Sequence, residues 1–188
     1  MRTFYRLLPY NPQGVFAQIA ANHTDDFDVS RLWDGEPMNN GIPRSIRLFV
    51  GSGKTADVIA NPLSWPIFSD RFVEILAGRA GRDFQAFDAP LFESQTGRAV
   101  PGYKIVKIVR YVPCLDLTNS DVAYNKRARR RIIAVYRIAV VATKVAPDIH
   151  VFRMQEWPYE VIFSDDVAGD CRGQGLAGLA FQKCTTTQ

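Results

Sequence analysis

The sequence GSGKT at residues 51–55 contains the residue types that hold nucleotide phosphates. It follows the apolar run 46–50, and a glycine-rich turn that ends in Lys-Thr after a strand is how a phosphate-binding loop begins. The full pattern requires a glycine five residues before Gly53, so that successive backbone N–H groups curl around the phosphates. Leu48 occupies that position, in the middle of the expected strand. The loop is therefore too short to wrap a triphosphate.

The residues after this loop do not supply the helix that a phosphate site also needs. A helix N-terminus adds partial positive charge to an anion site. Here residues 56–60 run into Asn61-Pro62, and proline disfavours helix in the residue before it. The longest apolar strand expected later, at 132–142, contains no acid that could hold magnesium. We therefore interpret GSGKT as a glycine-rich turn between two elements.

Other side chains that could do chemistry lack a local signature. The chain has two histidines, His23 and His150, so a Ser-His-Asp or Cys-His arrangement has to use one of them. Cys114, Cys171 and Cys184 do not have the close-paired spacing that zinc sites show. No catalytic, cofactor-binding or metal-binding residue is therefore assigned, and no cofactor is expected. Acids brought together only by folding leave no linear trace, so an enzyme of that kind stays an alternative.

Length and composition are typical of a globular protein. The chain has 188 residues, of which 47% are hydrophobic and 22% are charged, so it can bury a sizeable core. No stretch of 18 apolar residues occurs, which predicts that no segment spans a membrane. The N-terminus lacks the apolar run of a signal peptide, and an odd number of cysteines suits reduced thiols. We expect a cytoplasmic protein.

One basic cluster accounts for the positive charge of the chain. The net charge is +4, and the stretch NKRARRR at 125–131 alone carries five basic residues: Lys126, Arg127, Arg129, Arg130 and Arg131. The remainder is close to neutral, whereas nucleic-acid binders spread Lys and Arg over a face. The cluster is therefore a solvated loop beside an apolar strand, a docking patch for an acidic protein, or a nucleic-acid contact. The solvated loop is the simplest of these interpretations.

The chain changes character near Asn61-Pro62. Residues 1–60 are strand-like and rich in loops, and we expect this part to pack on the same core as the rest. Residues 61–188 are more regular and form the main α+β domain, in which Ser69 or Asp70 is expected to cap a helix. The expected strands lie at 3–8, 14–20, 46–50, 84–87, 104–112, 132–142, 150–154 and 159–163, and 176–181 can add a last one.

A repeated tetrapeptide marks two strand-to-helix junctions. Residues 67–70 and 162–165 both read Ile-Phe-Ser-Asp, an apolar strand end followed by the Ser-Asp of a helix cap. Trp65 and Trp157 precede the two copies, and the simplest interpretation is that both pack at the edge of the core, with an interface role as the alternative. Altogether the sequence predicts an α+β fold, mainly an antiparallel or mixed β-sheet with a few short helices.

The order of these landmarks is similar to that of a known family. The similarity covers roughly 61–181 and runs through the segments PIFSDRF, GYKIV, CLDL with Ser120, DIHVFR, VIFSD and GLAF. The chain resembles the immunity-protein family of bacterial polymorphic toxin systems that is named from a myxobacterial member. The resemblance implies a small cytoplasmic bacterial protein, encoded beside a toxin, which binds the toxin domain and blocks it. It implies no cofactor and no reaction.

The motifs of this resemblance are structural and do not define a toxin-binding surface, so charge supplies the candidates. A nuclease toxin has a basic cleft, and against it the acidic residues of the N-terminal part can dock: Asp25, Asp26, Asp28, Asp34 and Glu36. A toxin that is acidic near its site would dock instead on the basic cluster 126–131. The sequence favours neither mode, and exposed strand edges leave the oligomeric state open.

Three functions are therefore carried forward. The leading prediction is an immunity protein, not an enzyme, that binds and neutralises a cognate toxin by protein–protein contact. The alternatives are a small enzyme whose acids are assembled by folding, and a nucleic-acid-associated regulator that uses the basic cluster 126–131. Neither nucleic acid nor a membrane is an expected partner under the leading prediction.

Overall fold

The computed structural model describes residues 2–24, 27–125 and 131–188. Within these residues the chain forms fifteen β-strands and two α-helices. The helices are α1 Asp70–Ala80 and α2 Asp165–Gly173, and single-turn 3-10 helices lie at Pro12–Gly14, Val29–Leu32 and Ala142–Lys144. The strands are β1 Phe4–Pro9, β2 Ile19–His23, β3 Arg47–Val50, β4 Ile67–Ser69, β5 Phe84–Asp88, β6 Leu91–Glu93, β7 Tyr103–Ile108, β8 Tyr111–Val112, β9 Asp121–Tyr124, β10 Ile132–Arg137, β11 Ala139–Val141, β12 Val151–Met154, β13 Val161–Ser164, β14 Leu179–Lys183 and β15 Thr185–Thr187.

The strands form five sheets of mixed direction. One sheet has five strands in the order β14-β1-β13-β12-β8, two have three strands in the orders β2-β3-β6 and β4-β7-β5, and the pairs β10-β9 and β11-β15 stand apart. In the five-stranded sheet β1 lies between β13 and β14 and is antiparallel to both. The first strand of the chain is therefore held by two of its last strands. The predicted α+β class with antiparallel and mixed sheets is confirmed.

Buried side chains from the first 60 residues pack with residues from later in the chain. Leu32, Met38 and Ile46 belong to the same buried cluster as Ile67 and Ile105, which lie on β4 and β7. The loop that carries Met38 is also held by the side chain of Gln85, which exchanges two hydrogen bonds with the backbone of Met38. Residues 30–46 thus contain no strand but are fixed on the face of the β4-β7-β5 sheet.

The repeated tetrapeptide forms two equivalent junctions. The Oγ atoms of Ser69 and Ser164 accept hydrogen bonds from the N–H groups of Phe72 and Val167, at 3.3 and 3.5 Å, so each serine caps its helix. The prediction that Ser69 or Asp70 caps the first helix is confirmed. The two helices pack against each other. Among the described residues, neither helix nor any other has the length and apolar character needed to cross a membrane.

The GSGKT segment is a turn that lies against residues 15–18. The N–H groups of Gly51 and Lys54 donate to backbone carbonyls of that segment, each at 2.9 Å, so neither is turned towards a phosphate. Gly53 has a φ of +151°, and a Cβ there would lie 2.5 Å from a backbone nitrogen of the same segment. The close approach of the two segments, 51–55 and 15–18, therefore requires glycine at position 53. The next α-helix is α1, which begins only at residue 70.

Three predicted strands are wrong in extent because their partners differ along their length. The segment 104–112 is divided into β7 and β8, since the N–H groups of Val109 and Arg110 turn to the carbonyl of Asp83 at 2.9 and 3.2 Å. The segment 132–142 is divided into β10, which pairs with β9, and β11, which pairs with β15. The segment 14–20 has only isolated bridges before β2 begins.

Asp116 connects the C-terminal strand β15 to the loop after β8. Its carboxylate accepts hydrogen bonds from Asn119 Nδ2 and Thr187 Oγ1, both at 2.8 Å, and from the backbone N–H groups of Thr118 and Asn119. These bonds, with that of the Asn119 side chain the strongest, lower the pKa of Asp116 from 3.8 to about 2. The carboxylate contributes to stability above its unfolded pKa, and this contribution is lost as the pH falls through the folded pKa.

We expect the Asp116→Asn protein to lose less stability on acidification than the wild type between pH 3.8 and about 2. The reason is that asparagine has no proton to take up when the pH falls through this range. Thermal unfolding at about pH 5 and about pH 2.5 measures the difference between the two proteins. Parallel acid responses of wild type and Asp116→Asn would contradict the assignment.

Candidate partner-binding surface

A serine, a histidine and an aspartate meet at the start of α2. His150 Nδ1 lies 3.0 Å from Ser164 Oγ and 3.4 Å from Asp166 Oδ2. In a catalytic triad the serine and the acid contact opposite nitrogens of the ring, and the serine faces the substrate. Here both contact Nδ1, and Ser164 is fully buried as the cap of α2. The cluster therefore lacks the geometry of a triad.

The three cysteines are buried and free. Burial raises the pKa of the Cys114 and Cys171 thiols to about 12, and that of Cys184 to about 11. Because the thiolate is the reactive form, these side chains are held in an unreactive state at neutral pH. Across 2–24, 27–125 and 131–188, no group of three or more His, Cys, Asp or Glu side chains is placed to hold a metal ion.

Exposed apolar side chains gather beside the hairpin that β9 and β10 form. They border two adjoining depressions of about 780 and 420 Å³, which share Ile132, Trp157 and Tyr159 in their walls. We call the apolar residues of these walls the hairpin surface: Leu117, Tyr124, Ile132, Ile133, Trp157 and Tyr159. Aromatic side chains of this kind, half-buried around a concave surface, are typical of the centre of a protein interface.

Two β-bulges shape the exposed side of β10. The pairing with β9 shifts between Ile132 and Ala134 and again between Val135 and Arg137, which leaves Ile133 and Tyr136 without a paired residue. These two residues are 55% and 66% exposed, the highest values among the large hydrophobic side chains described. Bulges re-aim side chains and are common next to functional sites. The fold therefore directs two apolar side chains of this strand away from the core.

A row of aromatic rings links the hairpin surface to the acidic N-terminal loop. Trp157 and Tyr159 pack edge to face with ring centres 4.7 Å apart, and Tyr159 packs in the same way on Trp33 at 6.2 Å. Trp33 immediately precedes Asp34, one of the acids predicted to bind a partner. The structure thus brings the loop around Asp34 to one side of the hairpin surface, although the two are far apart in sequence.

The predicted acidic residues have local partners. The carboxylate of Asp28 accepts hydrogen bonds from the N–H and the hydroxyl of Ser30, the latter being the main cause of a lowered pKa. The ammonium of Lys107, which is fully buried, donates to the carboxylate of Asp34. Glu36 is exposed. Asp25 and Asp26 lie outside the described residues. A contact of these acids with a partner stays a prediction.

Of the predicted basic residues, the structure describes Arg131. Arg131 is exposed and borders both depressions of the hairpin surface. Lys126, Arg127, Arg129 and Arg130 lie outside the described residues. A contact of the basic cluster with a partner stays a prediction.

Sequence reasoning missed most of the hairpin surface. Ile133 belongs to an apolar run that predicts a continuous strand, and a bulge has no local sequence signal. A hint comes from two tryptophans that each precede a proline, Trp65 and Trp157, and of these only Trp157 borders the depressions. Trp65 is buried, and Trp157 is half-buried and packs against the buried cluster that contains Phe152, which confirms that both pack on the core. Trp157 also lies in the wall of the depressions.

A protein-family model matches most of the chain. The model of the Immunity protein family (Imm11) matches residues 30–186. No curated protein matches the chain significantly. The matched range begins earlier than the similarity read from the sequence, which starts near residue 61. It includes the complete hairpin surface and the loop that carries Trp33 and Asp34.

Proposed function

The chain belongs to the Imm11 immunity protein family, and on this premise we propose that it binds and neutralises a cognate bacterial toxin domain in the cytoplasm. The observation that supports this most is the hairpin surface, in which exposed apolar side chains border two adjoining depressions. A stable interface buries about 1,200–2,000 Å² in total, with a few aromatic and arginine residues supplying most of the binding free energy. Four residues of these types line one depression: Tyr124, Arg131, Trp157 and Tyr159.

Of the two docking modes that charge predicts, we infer the basic one. The stretch 126–131 lies between β9 and β10 in the sequence, and Arg131 borders the depressions. Asp34, by contrast, already neutralises the buried Lys107. We therefore assign the hairpin surface a partner whose docking face is apolar at its centre and acidic around it. Opposite charge at the rim of such an interface speeds association and selects the partner.

Neutralisation in this proposal needs no reaction in the immunity protein. The inhibitor covers the toxin's site or holds the toxin domain in an inactive shape, and the binding free energy alone sets its strength. The cluster of Ser164, His150 and Asp166, which lacks triad geometry, fits this view. The side chains that matter are then those that lose contact with water in the complex.

Co-expression with the toxin encoded by the neighbouring gene tests the proposal. We expect this toxin to stop growth when it is produced alone, growth to return when the immunity protein is also produced, and the two purified proteins to form a stable complex. A neighbouring gene product that is harmless alone contradicts the proposal. So does a toxin that stays lethal beside well-expressed immunity protein.

A further inference from the structure

A second concave site lies on the other side of the aromatic row. It is a cavity of about 360 Å³ between β1, β12, β13 and the segment 58–68, and Trp33 and Tyr159 border it as well. Most of its wall is apolar and includes Leu7, Val58 and Phe68. Volumes of about 300–1,000 Å³ with apolar walls are typical of small-molecule sites.

The cavity wall contains a buried arginine with free hydrogen-bond donors. Arg153, on β12, is 1% exposed. Its Nη1 donates to the carbonyl of Pro158, whereas Nε and Nη2 have no hydrogen-bond partner in the described part of the chain. Burial lowers the pKa of Arg153 to about 10, so the guanidinium is still charged at neutral pH. A buried cation with two unused donors is costly unless a ligand meets it.

A third free donor belongs to the same wall. The indole Nε1 of Trp65 is buried and also lacks a hydrogen-bond partner among the residues described. The nearest acid in the wall, Glu160, does not meet these donors. Its carboxylate lies 3.6 Å from the guanidinium of Arg6 instead. These three buried N–H groups belong to residues that line the cavity, and none has an acceptor among the residues described.

The positions of the two unpaired guanidinium nitrogens indicate which chemical group of a ligand can bind them. Nε and Nη2 lie on one edge of the guanidinium, where their N–H bonds run parallel and match the two oxygens of a carboxylate. One arginine balances one negative charge, and Glu160 in the same wall disfavours a dianion such as phosphate. The apolar remainder of the wall suits a hydrocarbon or aromatic body.

The geometry points to a binding site for a small monocarboxylic acid with an apolar body, whose carboxylate is held by the Nε–Nη2 edge of Arg153. The indole N–H of Trp65 supplies a further hydrogen bond to the ligand. Tyr159 borders both this cavity and the depressions of the hairpin surface, so the two sites adjoin. This inference does not depend on the toxin, because it concerns the immunity protein alone.

Calorimetric titration of the full chain with phenylacetate and hexanoate tests the site, with phenylacetamide as the neutral match of phenylacetate. We expect the carboxylates to bind and the amide to bind about 10- to 100-fold more weakly, because hydrogen bonds to a charged partner contribute more than neutral ones. Tryptophan fluorescence is expected to change on binding, since Trp33 and Trp65 border the cavity. Absence of binding by both carboxylates, or equal binding of acid and amide, overturns the inference without any variant.

Variants locate the interaction. Arg153→Met is expected to fold, because an apolar side chain of similar length replaces a buried guanidinium with one hydrogen bond, to the carbonyl of Pro158. It is expected to bind phenylacetate about 10- to 100-fold more weakly. The matched control is Arg98→Met at an exposed arginine, which is expected to bind as the wild type does. Trp65→Phe is expected to weaken binding by about 2- to 10-fold, and Trp157→Phe to leave it unchanged. Wild-type affinity in both Arg153→Met and Trp65→Phe overturns the assignment.

Discussion

Replacing Phe72 by alanine is expected to lower the free energy of unfolding by about 3–5 kcal/mol. Phe72 is fully buried on α1, where its ring stacks on that of Phe68 with centres 4.3 Å apart and meets that of Phe163 at 5.9 Å. Phe68 and Phe163 are the phenylalanines of the two repeated tetrapeptides. Removal of the ring between them leaves a cavity at the place where both strand-to-helix junctions meet, and rigid strands on either side limit its collapse.

Urea unfolding at neutral pH measures this loss as a lower midpoint at an unchanged slope. Tyr136→Ala supplies the matched control, since it also removes a ring but from a side chain that is 66% exposed. We expect that control to shift the free energy of unfolding by less than about 0.5–1 kcal/mol. Equal midpoints for Phe72→Ala and the wild type would mean that the two junctions do not share a packed core.

The junctions were predictable from the sequence because their signals are local. Ser69 and Ser164 stand directly between an apolar strand and a helical pattern, and capping depends on atoms within three residues. Strand β15, Thr185–Thr187, has no such signal. It is a strand because it runs parallel to β11, and that pairing joins segments more than 40 residues apart in the chain. Sequence patterns report what a segment does by itself and not which distant edge it meets.

The candidate sites also differ in whether a local sequence signal predicts them. The basic cluster at 126–131 is visible in the sequence as a run of charge, whereas Tyr159 and Ile133 become a surface only after the hairpin and the loop after β12 are brought together. Arg153 is a clearer example of a residue whose position the sequence does not predict. A single arginine in a short strand usually points to solvent. Here β12 lies between β13 and β8, and the guanidinium donates to the carbonyl of Pro158 in the loop after β12, so burial of the charge is a tertiary effect.

The double substitution Tyr124→Ala and Ile133→Ala is expected to weaken toxin binding by at least about 30-fold, and to abolish protection in co-expressing cells when the toxin is produced in excess. Both side chains are exposed and border the depressions of the hairpin surface, so their removal costs little folding free energy. Surface plasmon resonance with the toxin domain gives the affinity, and urea unfolding verifies that the variant is folded. Tyr10→Ala is the control, because Tyr10 is equally exposed but borders neither depression.

Substitutions that remove charge distinguish the two docking modes, again measured by surface plasmon resonance with the toxin domain. Replacement of the five basic residues of 126–131 by glutamine is expected to slow association with the toxin by about 10-fold or more and to reduce its dependence on salt. The matching replacement of Asp28 and Glu36 by their amides is expected to change association far less; Asp34 is kept because it neutralises the buried Lys107. If the acidic replacements slow association and the basic replacements do not, the toxin docks on the N-terminal loop instead.

A nucleic-acid contact predicts a different result. If the basic replacements abolish salt-dependent binding to duplex DNA while toxin binding is unchanged, the hairpin is a nucleic-acid contact. The aromatic row runs from Trp33, beside Asp34, to Trp157, which borders the same depressions as Arg131, so Tyr159 is expected to be covered by the toxin in either docking mode.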